Sequence, residues 1–227
     1  MYRPVSGRRS GLNSLKPVEN LTMSRAKYPL MASLAIFLGA LAAKADDKAF
    51  HPLFNGKDFT GWVTPADPKI FSVENGEIVA KTDGKLKKNE FLATEKPYAN
   101  FVLKAKVKLI NHNSGIQFRS KRAADGAVSG PQADAADGYW GLLYEERGRG
   151  ILEQYPKEKA EKIVKKQDWN DYVITAEGNH VTIDINGTRV IDRIDSKFAP
   201  EGIIAFQAHA GPPMEVRFKD VEIKVLD

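Results

Sequence analysis

Residues Phe101 to Ile110 read FVLKAKVKLI, with Leu103, Ala105, Val107 and Leu109 alternating against Lys104, Lys106 and Lys108. A period of two is the repeat of an extended chain, because successive side chains leave opposite faces of a strand. The segment is therefore a strand with one face in an apolar core and the other in water. The lysine row reads as that wet face, or as charge that keeps a sheet edge from pairing with another chain.

Similar runs recur along the chain, separated by residues that turn it. Ile70–Val73 and Glu77–Ala80 flank Glu74-Asn75-Gly76, and Asn-Gly supplies the positive φ that a tight hairpin needs. Asp171–Glu177 and His180–Ile185 meet at Gly178-Asn179, and Asn186-Gly187 turns the chain into Thr188–Ile191. Ile203–Ala208 and Val216–Val225 close the sequence on either side of Gly211-Pro212-Pro213, and Lys157–Lys166 suits a helical turn or an exposed loop. About ten to twelve short strands with hardly a helix predict an all-β chain, a two-sheet β-sandwich or jelly roll. Trp169 is expected in its core.

The N-terminus has a different composition. Arg25 and Lys27 precede PLMASLAIFLGALAA, and Ala43-Lys44-Ala45 follows. A basic flank, an apolar run and a small-x-small end make a secretory signal, and the run is shorter than the roughly twenty residues of a membrane span. Residues 1–45 are thus expected to be an N-terminal extension and signal peptide, with Met23 as an alternative start, and 46–227 a single β-sandwich domain. The expected location is secreted or periplasmic, with no stable membrane insertion after cleavage. Residues 1–45 hold seven Lys or Arg and one Glu, a surplus of six against a whole-chain charge of +5, so the remainder sits near −1. The basic balance belongs to the leader and gives no reason to expect a nucleic-acid partner.

There is no cysteine, so disulfides, thiolate metal sites and thiol nucleophiles are excluded. The sequence has no phosphate-binding glycine loop, HExxH or EF-hand pattern. It commits to no cofactor and to no metal ligand set; a divalent metal such as Ca2+ would have Asp134, Asp137 and loop carbonyls to choose from.

Three strand-like runs carry polar pairs two residues apart. These are Gln117 and Arg119 in SGIQFRS, Gln132 and Asp134 in GPQAD, and Gln207 and His209 in AFQAHA. If the strands are neighbours, the pairs form a polar floor. Trp140 and Tyr144 lie between, and aromatic faces beside amides and carboxylates suit a sugar, or else belong to the core. Arg147 and Arg149 could hold a carboxylate or phosphate, or pair with Glu145 and Glu146. Those two glutamates are adjacent, so only one of them reaches any floor. His209 is a candidate general base because imidazole titrates near neutral pH.

FHPLFNGKDFTGW, SGIQFRS, PQAD with GYWGLLYEE, DWNDYVITAEGNHVTIDINGTRV and GIIAFQAH, in this order over residues 50–227, resemble the 3-keto-disaccharide hydrolase family. The resemblance implies a concanavalin A-like fold and hydrolysis of glycosides oxidised at C3, with a carbohydrate or modified glycoside as partner. It implies that Gln117, Arg119, Gln132, Asp134, Tyr144, Glu145, Gln207 and His209 line one face. A ketone at C3 acidifies the C2 proton, so a base could remove it and expel the C1 substituent, after which water adds back. His209, Asp134 or Glu145 would be the base, Arg119 or a bound divalent ion would stabilise the enolate, and Gln117, Gln132, Tyr144, Gln207 and Trp140 would bind substrate. A non-catalytic, lectin-like carbohydrate-binding module is the alternative on the same fold.

Overall fold

A computed structural model describes residues 49–227, and the expected extension and signal peptide lie outside them. Fifteen strands are described: β1 His51–Pro52, β2 Trp62–Val63, β3 Phe71–Glu74, β4 Glu77–Thr82, β5 Glu90–Thr94, β6 Phe101–Asn111, β7 Asn113–Arg122, β8 Val128–Ala136, β9 Leu142–Glu146, β10 Gly150–Gln154, β11 Asn170–Glu177, β12 His180–Ile185, β13 Thr188–Ile194, β14 Ile203–Ala208 and β15 Met214–Val225. The Lys/Glu-rich segment forms one short helix, α1 Lys157–Ile163.

The strands make two antiparallel sheets. The first has the order β13-β12-β11-β6-β15-β4-β3, with β1 added against β15, and the second has the order β10-β9-β8-β7-β14-β5-β2. The chain is a two-sheet β-sandwich of the jelly-roll type. The alternating segment is β6, at the centre of the first sheet between β11 and β15. Its odd-numbered residues, Phe101 to Leu109, are buried against the second sheet, which contributes Ile116, Phe118, Leu143 and Phe206. Phe206 stacks on Phe218 at 4.2 Å and on Trp62 at 5.3 Å, joining the layers near their middle. Each such side chain removed from water contributes about 1.5–3 kcal/mol before entropy is charged.

The turns follow their residue types. Asn75 and Gly76 take φ 52° and 80°, and Asn186 and Gly187 take 49° and 79°, the left-handed pairs that connect twisted strands in hairpins. The even-numbered lysines of β6 face solvent, where Lys106 meets Asp171 at 2.6 Å. Trp169 is not in the core. It lies half-buried on this outer face, with Lys108 and Lys219 over its ring at 4.6 and 4.3 Å, because it precedes β11 on the wet side of the sheet.

Candidate active site

β7, β8 and β14 carry the three polar pairs, except that His209 directly follows β14; they are consecutive in the second sheet, and β9 and β5 flank them. Register aligns the outward side chains. Gln117 pairs with Gln132, Gln132 with Tyr144, and Tyr144 with Ile151, a row across four strands. The neighbouring row sets Asp134 opposite Gly115, and the pairing of Phe206 with Ile116 brings Gln207 beside that glycine. A Cβ at Gly115 would lie 2.6 Å from the Gln132 side chain, so the glycine gives that amide the space in which it lies.

Above these rows is a cleft of about 420 Å³. Its floor is a chain of amides and carboxyls. Gln132 Nε2 donates to Asp134 Oδ1 at 2.6 Å and to Gln207 Oε1 at 3.5 Å. Gln207 Nε2 donates to Glu146 Oε2 at 3.3 Å, and Asn89 Nδ2 donates to Glu146 Oε1 at 3.5 Å. His209 and Asn113 line the same space, with Tyr144 and the exposed Tyr139 and Ile151 toward the rim. The Asn113 Oδ1 is buried and accepts no hydrogen bond from the described residues.

Burial tunes the titratable groups. Asp134 is 6% exposed, and loss of water raises its pKa to about 7. The Gln132 hydrogen bond opposes that rise, while the Glu146 charge adds to it. Glu146 is also raised, mainly by desolvation, against the hydrogen bond from Asn89 and the field of Arg147. His209 is lowered by desolvation, partly opposed by its contact with the Ala210 carbonyl, and His112 at 5.0 Å between ring centres pushes the same way as burial. The cleft thus sets an imidazole biased toward its neutral form beside two carboxyls biased toward their protonated forms. Asp134 is also held from behind: the Tyr172 hydroxyl of β11 donates to its backbone carbonyl at 2.8 Å across the core.

Four sequence expectations need correction. Arg119 is not on the floor. A register shift between Gln117 and Lys121 and a φ of 43° at Arg119 break the alternation, and its guanidinium is buried among the Ala99 and Gly178 carbonyls and Asn100 Oδ1. Gln117 faces the correct way but is fully covered; its amide lies 2.9 Å from Gln132 Oε1 and supports the floor from below. Glu145 points away, its carboxylate taking two hydrogen bonds from the Arg149 guanidinium at 2.7 and 2.8 Å, and Glu146 reaches the cleft in its place. Trp140 is 3% exposed and packs on Tyr172 in the core. Asp134, Gln132, Tyr144, Gln207 and His209 are brought together in the cleft. Asn89, Asn113 and Tyr139 join them without having been singled out, and Glu146 is the one of the two adjacent glutamates that reaches the floor. Glu146 and Asn113 were within reach, since strand alternation puts Glu146, two residues from Tyr144, and Asn113, four from Gln117, on the cleft face.

Among the described residues no group of three or more His, Asp or Glu side chains is placed to hold a metal ion, and Asp137 takes the Trp140 indole N–H at 3.4 Å. No helix among them is long and apolar enough to cross a membrane.

Fold and cleft together define a carbohydrate-active, glycosyl-hydrolase-like β-sandwich. The chain belongs to the family of 3-keto-α-glucoside-1,2-lyase-like domains, whose model matches residues 49–224. A proposed glycosyl hydrolase of Parabacteroides distasonis is 26% identical, with 79% of this chain and 95% of that one aligned at a TM-score of 0.60. The Bacillus licheniformis β-glucanase, 13% identical, covers 79% of this chain and 98% of its own at 0.56. The carbohydrate-binding module CBM66 of Bacillus subtilis, 16% identical, covers 72% and 95% at 0.54. These last two share the fold. Comparison with curated proteins gives no match.

Proposed function

We propose that the protein cleaves 3-keto-glycosides by base-assisted elimination and hydration, with Asp134 as the base. The observation that carries this reading is the Asp134 carboxyl itself, nearly buried in the floor of an open cleft with a pKa raised to about 7. A general base is most effective when its pKa lies near the working pH, and a desolvated carboxylate is a stronger base than a wet one.

The ketone makes the C2 proton acidic, and Asp134 takes it. The electron pair left on C2 is delocalised onto the C3 oxygen as an enolate. Collapse forms the C1–C2 double bond, restores the ketone and breaks the C1–O bond. The departing oxygen takes a proton, which Glu146 is suited to give because its raised pKa keeps the acid form available. Addition of water at C1, with return of the proton to C2, completes hydrolysis. The side-chain amides of Asn113 and Gln207 offer donors where the enolate oxygen and sugar hydroxyls would lie. Tyr144, Tyr139 and Ile151 give the apolar rim that stacks on sugar CH faces.

The basic and apolar leader in the sequence supports export, so the substrate would be met outside the cytoplasm. Release of the aglycone from a 3-keto-glucoside, beside its unoxidised parent, tests the activity. Release from the oxidised substrate alone is expected. Binding of the parent with release from neither would make the domain a carbohydrate-binding module.

A further inference from the structure

A second groove, of about 630 Å³, adjoins the cleft, and Glu146 lines both. Taking the protein as a 3-keto-glycoside lyase, we infer that this groove receives the leaving group and selects leaving groups that carry an oxyanion, a carboxylate or a phosphate. Lys121, Arg122, Arg147 and Lys197 line it, and among the described residues none of these side chains makes an ion pair or hydrogen bond. The acids facing them are fewer. Glu145 is committed to Arg149, which leaves Glu201, Asp125, whose carboxylate feels the charge of Arg147, and, at the shared mouth, Glu146.

Unpaired surface lysines alone would be an ordinary wet face. Two observations go further. The Arg122 Nε is buried without an acceptor among the described residues, a costly state for a charged donor and one that a turn of its guanidinium toward an entering oxyanion would relieve. Arg147 sits in the β9–β10 turn at φ 51°, a conformation that Gly or Asn adopts more cheaply, so the turn keeps an arginine at an energetic cost. The field of Arg147 already reaches Glu146, which places its charge within range of groups in the cleft. A leaving group bonded to C1 of a sugar in the cleft would extend past Glu146 toward these guanidinium groups. Planar forks of this kind match carboxylate and phosphate oxygens two at a time.

The test compares glucosides with 4-carboxyphenyl, 4-phosphonophenyl and neutral 4-carbamoylphenyl leaving groups, measuring binding of the unoxidised compounds by calorimetry and aglycone release from their 3-keto forms. The wild-type protein is expected to bind at least one anionic compound about tenfold more tightly than the amide, with the preference shrinking as salt rises. The better of the two anions identifies the oxyanion. In Arg147→Asn, which suits the turn, and in Arg122→Gln, the ratio should fall toward one. Equal affinity for all three compounds, or a preference that survives both substitutions, overturns the inference. Failure of release from every 3-keto compound would remove the lyase reading instead, while the binding ratios would still decide whether the groove holds an anion.

Discussion

Replacing Asp134 with Asn should abolish turnover and stabilise the protein, the second effect only above acidic pH. In the folded chain the Asp134 carboxyl titrates near 7, about three units above an exposed aspartate. Below pH ~4 the group is protonated in both folded and unfolded chains and contributes no pH dependence. As pH rises from ~4 to ~7 the unfolded chain ionises first, so wild-type stability falls through that window and then levels. Three units correspond to about 4 kcal/mol, and relaxation around a group at a cleft floor brings the expectation to about 3 kcal/mol. Asn keeps an oxygen for the Gln132 amide and carries no charge. The difference between variant and wild type should therefore be small at pH 4.5 and reach about 3 kcal/mol at pH 8, a melting difference of roughly 6–12 °C for a domain of this size. Urea unfolding at the two pH values measures it, and taking the difference cancels the many carboxylates common to both proteins. A difference that stays constant between pH 4.5 and pH 8 would show that Asp134 is not desolvated as described.

Other outcomes follow from the same geometry. With ionised Asp134 as base, kcat/KM on a 3-keto-glucoside should rise tenfold per pH unit below a pKa of about 7, and a flat profile between pH 5 and 8 would assign the proton transfer elsewhere. Glu146→Gln should lower kcat at least about a hundredfold, whereas Glu145→Gln should leave kcat within a few-fold and cost about 1 kcal/mol by weakening the Arg149 pair; reversed effects would restore Glu145 to the cleft. Gly115→Ala should displace the Gln132 amide, raise KM and lower stability by about 1–3 kcal/mol, as read by steady-state kinetics and thermal melting.

The fold was legible because its signals are local. Two-residue alternation marked β6, and Asn75-Gly76 and Asn186-Gly187 marked hairpins whose left-handed φ values the structure shows. The site was legible where strands stay regular, so Gln132 with Asp134 lies on one face as spacing predicts. It failed at β7, where the chain bulges between Gln117 and Lys121 and turns Arg119 inward. A bulge depends on which strand is paired alongside, which the sequence of β7 alone does not state. In β9 the alternation was sufficient: the rule that sends Tyr144 to the cleft sends Glu146 with it and Glu145 away. Asn89 had no such signal, because it precedes β5 and enters the site through the pairing of that strand with β14.

The hydroxyl of Tyr172 crosses the core to the backbone of Asp134, and it works as a dowel between two plates. Stacked sheets joined only by apolar contacts can slide a little without breaking anything directional, but a hydrogen bond through the middle fixes their phase. The position of the base is therefore set partly by a strand that no substrate meets, so substitutions along β11 can detune the chemistry while leaving every residue of the cleft in place.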